Sequence, residues 1–166
     1  ACGTGLISKN IVSAAESVEA CDFSPEMIAM AKKDCHSAKL HFSVQDMTAL
    51  PYTSGSFDVV IAANVLHIID DPEKALSEIS RVLAPGGILM YAVCSMSKDE
   101  GERQIGRFIA EHPDFAILPV AAEEINPFRQ PGFERLITSE GFIRCLPDML
   151  DGIDGFFAAR LQKQTT

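Results

Sequence analysis

The chain alternates segments with apolar residues at helical spacing and short segments rich in β-branched and aromatic residues. Apolar side chains three and four residues apart predict amphipathic helices, whereas short alternating or continuous apolar runs predict strands. Strands that alternate with helices predict an α/β fold with a mainly parallel sheet and helices on both faces. The predicted helices cover 6–15, about 98–111 and the segments after Ser24 and Asp71, and the predicted strands cover 18–22, 40–44, 57–63, 88–93, 142–146 and 156–161.

Local signals set several of these boundaries. Ser24 and Asp71 each precede a proline and then a glutamate, which is typical of a capped helix start. The Pro-Gly-Gly segment 85–87 is predicted to end the helix that follows Asp71. The nearly continuous apolar run at 57–63 is typical of a strand covered on both faces.

Length and charge narrow the function classes. The 166 residues suit a single domain, 1–166. They include 14 Lys and Arg against 23 Asp and Glu, which gives a net charge of −9, and both halves are acidic. Because nucleic-acid surfaces need clustered cations, RNA is disfavoured as a partner and a small-molecule acceptor is favoured. No apolar run reaches the roughly 18 residues of a membrane span, so no membrane partner is predicted.

The five cysteines are scattered, and no two of them have C-x-x-C spacing. The sequence therefore predicts neither a disulfide framework nor a metal site. A reducing, cytoplasmic location is the expectation. Each cysteine is interpreted by default as a small buried apolar residue.

A glycine motif and an acid suggest a cofactor site. Gly3 and Gly5 precede a predicted helix, and Asp22 follows at the end of a strand about twenty residues later. Glycine allows a tight bend close to a ligand, and a carboxylate at this spacing can accept both hydroxyls of a ribose. An ordinary turn with a capping Asp22 is the alternative. A dinucleotide is disfavoured because Ile7 and Ser8 follow where a further glycine is required.

Residues 1 to about 93 resemble the class I methyltransferases that include the ubiquinone and menaquinone biosynthesis enzymes. The resemblance implies a Rossmann-like fold and S-adenosylmethionine as cofactor. It places Gly3, Thr4 and Gly5 at the methionine end, Asp22 at the ribose, Asp46 at the adenine amino group, Phe23 and Met47 against the ring, and Asn64 near the sulfonium. The matching segments are 1–5, 21–27, 45–47 with 50–51, 56–60 and 81–87.

From about residue 93 the chain resembles the carboxy-terminal part of Sun-type ribosomal RNA cytosine-5 methyltransferases. The matching segments are 91–95, the acidic helix after it, 112–115, 141–147 and 154–161. The resemblance makes Cys94 the nucleophile, whose thiolate would add to carbon 6 of cytosine and activate carbon 5. That family has a second cysteine after the fourth strand, but residues 62–65 contain none.

Two substrate classes on one fold indicate a hybrid or a natural fusion, with a junction near 84–94. The favoured function is methyl transfer to a small molecule; the alternatives are an RNA cytosine-5 enzyme that uses Cys94 and a folded hybrid or fragment without catalytic activity. His67, just beyond Asn64, is a candidate general base. Arg144 and Arg160 are interpreted as surface or ion-pair residues.

The resemblance also raises a structural expectation. The first strand of this fold lies before the glycine motif, in the middle of the sheet, and nothing precedes Ala1 in the sequence. Unpaired strand edges in a sheet interior are costly. We therefore expect a rearranged sheet in which another strand moves in, a sheet completed by a homo-oligomer partner, or a longer polypeptide.

Overall fold

The computed structural model describes residues 1–126, 128–149 and 152–165. The described chain divides into two compact units, Ala1–Tyr52 with Asp71–Glu78 and Thr53–Asp70 with Ile79–Thr166. The helices are α1 (Leu6–Ile11), α2 (Pro25–Asp34), α3 (Pro72–Val82), α4 (Glu102–Glu111) and α5 (Ala122–Ile125), with short 3-10 helices at Val12–Ala14 and Phe133–Leu136. The strands are β1 (Val18–Asp22), β2 (Leu40–Val44), β3 (Phe57–Ala63), β4 (Leu83–Val93), β5 (Phe115–Ile117), β6 (Ile143–Cys145) and β7 (Phe156–Lys163).

The first unit is built on a parallel pair of strands. Strands β1 and β2 run in register from the Val18–Leu40 pair to the Asp22–Val44 pair. Helix α2 begins as the sequence predicts, because the Ser24 hydroxyl accepts a hydrogen bond from the Met27 amide at 3.2 Å. A small core of Ala20, Cys35 and Leu40 lies beside these strands. Both strands therefore end at the same edge, which positions the residues that follow them.

The second unit contains a five-stranded sheet in the order β3-β4-β7-β5, with β6 also paired to β7. Strands β3 and β4 are parallel, whereas β7 is antiparallel to β4, β5 and β6. The α/β class is confirmed, but the expected mainly parallel sheet is wrong for this unit. Apolar periodicity predicts strands but carries no information on their direction. Strand β7 pairs between β4 and β5, which both precede it in the chain.

Several details of the elements differ from the prediction. The Pro-Gly-Gly segment does not end α3; it lies inside β4, where the pairing shifts between Phe57 and Val59. This irregularity accommodates the extra residues as a β-bulge does. Helix α4 begins at Glu102, four residues later than predicted. Strand β3 is not covered on both faces, because Val59 is 49% exposed.

The strands form two separate sheets, and β3 is an edge strand of the larger one. Within the described residues, no other strand pairs with the outer edge of β3 or with β1 opposite β2. The expectation that another strand of this chain moves in is therefore wrong for the described part of the chain. No described helix combines the length and apolar character required to cross a lipid bilayer.

Candidate functional site

The glycine bend and the acid at the end of β1 are in direct contact. The Gly3 amide donates a 2.8 Å hydrogen bond to Asp22 Oδ2, and the Ser24 amide donates a 3.0 Å bond to Asp22 Oδ1. The Cys2 amide also bonds to the Cys21 carbonyl at 2.8 Å. A carboxylate has about four acceptor positions, so two remain on Asp22 for a ligand. The structure thus joins the two motifs that the sequence places nineteen residues apart.

Backbone conformation explains the two glycines. Gly3 and Gly5 have φ values of +54° and +82°, which L side chains rarely adopt. Among the residues that the structure describes, a Cβ on Gly3 would meet no atom within 4 Å, whereas one on Gly5 would lie 3.0 Å from the Phe42 ring. Gly3 therefore presents an open backbone surface, and Gly5 permits close packing beneath it. Thr4, between them, is exposed.

An apolar surface and a second carboxylate follow the paired strands. Phe23, directly after β1, is 76% exposed, and Met47 is half-buried. Asp46 lies two residues beyond β2, and its Oδ1 accepts 2.8 Å bonds from the Thr48 amide and hydroxyl. The Thr48 amide, with its hydroxyl, lowers the pKa of Asp46, so the carboxylate stays ionised. These groups fit an adenosyl moiety, which needs a flat apolar contact and a hydrogen-bond acceptor.

In the second unit, Asn64 and Cys94 are hydrogen-bonded to each other directly after the ends of β3 and β4. The Cys94 amide donates to Asn64 Oδ1 at 2.7 Å, and Asn64 Nδ2 lies 3.4 Å from Cys94 Sγ. The Asn64 amide bonds to the Ala92 carbonyl at 2.8 Å. Asn64 has φ +53°, a conformation that Asn tolerates better than most residues. The two strand ends therefore present an amide and an exposed thiol together.

His67 lies exposed in the turn that follows Asn64. The Ile68 amide closes this turn on the Val65 carbonyl at 3.1 Å. Ile68 and Met96, which follow Asn64 and Cys94 along the chain, are 68% and 62% exposed. Exposed apolar side chains thus follow the ends of both strands, and the general-base role of His67 stays a prediction.

The cysteines separate into distinct environments. Cys35 and Cys145 are buried, as expected by default, and Cys2 and Cys21 are half-buried. Burial raises the pKa of Cys2 to about 11 and also raises that of Cys21. Cys94 is exposed, so the default interpretation is wrong for this residue. It is the one cysteine of the described chain that is exposed, and its thiol lies within hydrogen-bond distance of Asn64 at a strand end.

Arg144 pairs with Glu102, which agrees with the interpretation as an ion-pair residue. Sequence reasoning missed its burial, because Arg144 is 8% exposed rather than a surface residue. Arg160 pairs with Glu124 at 2.8 Å, as an ion-pair residue should. Partners of Arg144 lie 42 and 49 positions away, so no local pattern could have revealed them.

Curated relatives fall into two groups. A ribosomal RNA small subunit methyltransferase F from Cronobacter sakazakii is 33% identical over 119 residues, covering 72% of this chain and 22% of the relative. A demethylmenaquinone methyltransferase from Renibacterium salmoninarum is 39% identical over 92 residues, covering 55% of this chain and 38% of the relative. This chain therefore spans well under half the length of either relative.

Solved structures share the fold. An S-adenosylmethionine-dependent methyltransferase from Mesorhizobium loti matches with a TM-score of 0.65 and 15% identity, over 97% of this chain and 87% of that one. The [4+2]-cyclase SpnF matches with a TM-score of 0.68 and 20% identity, over 99% of this chain and 74% of that one. At these identities the likeness establishes the Rossmann-like fold, because one fold can support different reactions.

Two family models match, and each covers more than half of the chain. The first is the methyltransferase domain, over residues 1–91, and the second is the 16S rRNA methyltransferase RsmB/F, over residues 62–162. Both resemblances found in the sequence are confirmed, and S-adenosylmethionine is the cofactor they support. The chain belongs to the methyltransferase-domain family over residues 1–91 and to the RsmB/F family over residues 62–162.

Proposed function

We propose that the chain binds S-adenosylmethionine and transfers its methyl group to a small-molecule acceptor. The observation that carries this proposal is the 2.8 Å hydrogen bond from the Gly3 amide to Asp22. It holds the open glycine surface beside a carboxylate with two free acceptor positions. In this proposal Gly3, Thr4 and Gly5 contact the methionine end and Asp22 binds the ribose hydroxyls.

The adenine would lie at the ends of β1 and β2. Phe23 offers an exposed ring for stacking, with Met47 as a second apolar contact, and Asp46 accepts the exocyclic amino group. Asn64 is proposed to face the reacting centre. The bound cofactor supplies an electrophilic methyl group, and the protein aligns the acceptor in a site bordered by Ile68 and other apolar side chains.

Removal of the Asp22 carboxylate tests cofactor binding directly. We expect Asp22→Ala to weaken S-adenosylhomocysteine binding about 10–100-fold, because charge-assisted hydrogen bonds are lost. Titration calorimetry measures the affinity. The matched control is Asp34→Ala, which removes an exposed carboxylate at the end of α2 and should leave the affinity unchanged.

Phe23→Ala separates binding from folding in the same assay. Its ring is 76% exposed, so truncation should leave thermal unfolding unchanged. Lost stacking should still reduce the affinity about 5–100-fold, by analogy with base–aromatic contacts. Wild-type protein that gives no heat with S-adenosylhomocysteine, or an unaltered affinity in both variants, contradicts the proposed site.

Acidity supports a small acceptor over RNA. The net charge of −9 repels a phosphate backbone.

We propose that residues 1–166 act as one methyltransferase domain in a reducing cytoplasm, with a junction near 84–94. The overlap of the two family matches within 62–91 supports this placement.

RNA cytosine-5 methylation is the second candidate, favoured by the exposed Cys94 thiol beside Asn64. Its thiolate would add to carbon 6, carbon 5 would take the methyl group and lose its proton, and the thiolate would then leave.

Cys94→Ser distinguishes the two functions. Labelled methyl transfer should be measured with a demethylated quinol and with a 16S rRNA fragment as acceptors. For the RNA reaction we expect a loss of about 1,000-fold or more, because a serine hydroxyl is a poor nucleophile near neutral pH. For the small-molecule reaction we expect less than a threefold change by the same reasoning, since no covalent adduct forms. Activity on RNA that survives the change would exclude Cys94 as the nucleophile, and wild-type protein that leaves the rRNA fragment unmethylated would eliminate the second candidate.

A further inference from the structure

The segment 94–101, which we call the Cys94 loop, connects β4 to α4 and carries the exposed thiol. Asn64 fixes its first residue through the Cys94 amide. The Tyr91 hydroxyl donates a 2.6 Å bond to the Glu100 carbonyl near its other end. Tyr91 is buried, and this burial raises its pKa to about 12, so the hydroxyl remains a neutral donor. Hydrogen bonds from Asn64, directly after β3, and from Tyr91 in β4 therefore hold the two ends of the loop.

One arginine from β6 binds the second residue of the loop and the first residue of α4. Arg144 Nη1 donates a 3.1 Å bond to the Ser95 carbonyl, next to Cys94. Its Nε and Nη2 bond to the two carboxylate oxygens of Glu102, the first residue of α4. A guanidinium can make all three bonds at once because its donors form a rigid planar fork.

Packing fixes the guanidinium in place. Its Cζ lies 4.7 Å from the centroid of the Phe157 ring, the cross-strand neighbour of Arg144. Gly101 closes the other side: a Cβ there would overlap Arg144 Nη2 and lie 3.1 Å from the Phe157 ring. With the side chain of Arg144 only 10% exposed, little solvent competes for its hydrogen bonds.

We propose that Arg144, clamped by Glu102, is a positioning residue that fixes the Cys94 loop and so holds the Asn64–Cys94 pair at the acceptor site. This inference rests on the proposed function, which places Asn64 at the reacting centre. Arg144 touches neither acceptor nor cofactor in this arrangement. It acts through the Ser95 carbonyl, by determining where the neighbouring Cys94 backbone lies.

Amide hydrogen exchange followed by NMR on the full chain tests the role. In Arg144→Met we expect the Cys94 and Ser97 amides to exchange about tenfold faster or more, because the bonds that hold the loop are lost. The Cys94 amide proton should also move upfield as its bond to Asn64 loosens. Arg144→Lys keeps the positive charge but lacks the planar fork, so we expect its exchange rates to lie between those of the wild type and Arg144→Met.

Arg160→Met is the matched control. Arg160 likewise binds a carboxylate, that of Glu124, and two backbone carbonyls, of Leu118 and Pro119, but none in the Cys94 loop. Exchange at Cys94 should therefore stay within about twofold of the wild type in this variant.

A second variant keeps the test decisive if the single change prevents folding. Arg144→Met leaves the Glu102 carboxylate without its partner, whereas Arg144→Met combined with Glu102→Gln leaves no unpaired charge. Wild-type exchange rates in the loop of the folded variant overturn the inference. An equal acceleration in Arg160→Met overturns it too, because the effect would then be global. S-adenosylhomocysteine binding, measured on the same samples, tests the proposed function separately. If the wild-type protein binds none, the proposed function is wrong, but the exchange rates still test the role of Arg144 in the loop.

Discussion

Phe157→Ala is expected to lower the free energy of unfolding by about 3–5 kcal/mol, the range for truncation of a fully buried phenylalanine. Phe157 is 0% exposed and lies on β7, the strand that pairs with three others. Its ring contacts Phe142 edge-on at a centroid distance of 5.4 Å, and Arg144 lies over its face. The change therefore opens a cavity and also removes an aromatic contact and a cation–π contact.

Urea unfolding followed by circular dichroism measures this loss. Phe128→Ala is the matched control, because the same atoms are removed from a ring that is 84% exposed. Its free energy of unfolding should change by less than about 0.5 kcal/mol. Equal losses in the two variants would show that Phe157 does not anchor the core of this unit.

Local chemistry made much of the first unit predictable. Strand β1, the Ser24 cap and the start of α2 depend on residues within four positions of one another. Sequence also predicted one shared site for the glycine bend and the strand-end acid, because their spacing suggests an adenosine-type cofactor, but it did not predict the direct Gly3–Asp22 hydrogen bond. Short-range rules and motif spacing were sufficient there.

The same rules fail in the second unit wherever contacts between residues far apart in sequence determine the structure. Pro-Gly-Gly usually breaks a helix, yet here 85–87 lie within β4, between residues 83 and 88, which pair with β3. A Cβ on Gly87 would lie 3.0 Å from the Asp58 carbonyl oxygen, so close strand packing explains that glycine. Arg144 is buried only because Glu102 and Ser95 meet it across the fold. Tertiary contacts of this kind leave no trace in local periodicity.

Gly141→Ala is expected to lower the free energy of unfolding by about 2–4 kcal/mol, through two separate costs. Gly141 has φ +82°, and its new Cβ would overlap Pro119 Cβ and lie 2.7 Å from Pro119 Cα. The Gly141 carbonyl accepts a 2.9 Å bond from the Val120 amide, so the two segments cannot separate without losing it. Backbone strain and a steric clash with a rigid ring should therefore add.

Two other glycines separate these costs in the same urea assay. Gly152 has φ +87°, and no atom of the described residues lies within 4 Å of a new Cβ, so Gly152→Ala should lose only the conformational part, about 1–2 kcal/mol. Gly106 lies in α4 with equally open space and ordinary helical geometry, so Gly106→Ala should gain about 0.5–1 kcal/mol. The three variants then report three effects separately. Gly106→Ala reports helix propensity, Gly152→Ala reports the cost of a left-handed backbone, and Gly141→Ala adds the cost of close packing. A loss at Gly141 no larger than that at Gly152 would mean that Pro119 moves aside, and that the contact between these two segments is not a close-packed one.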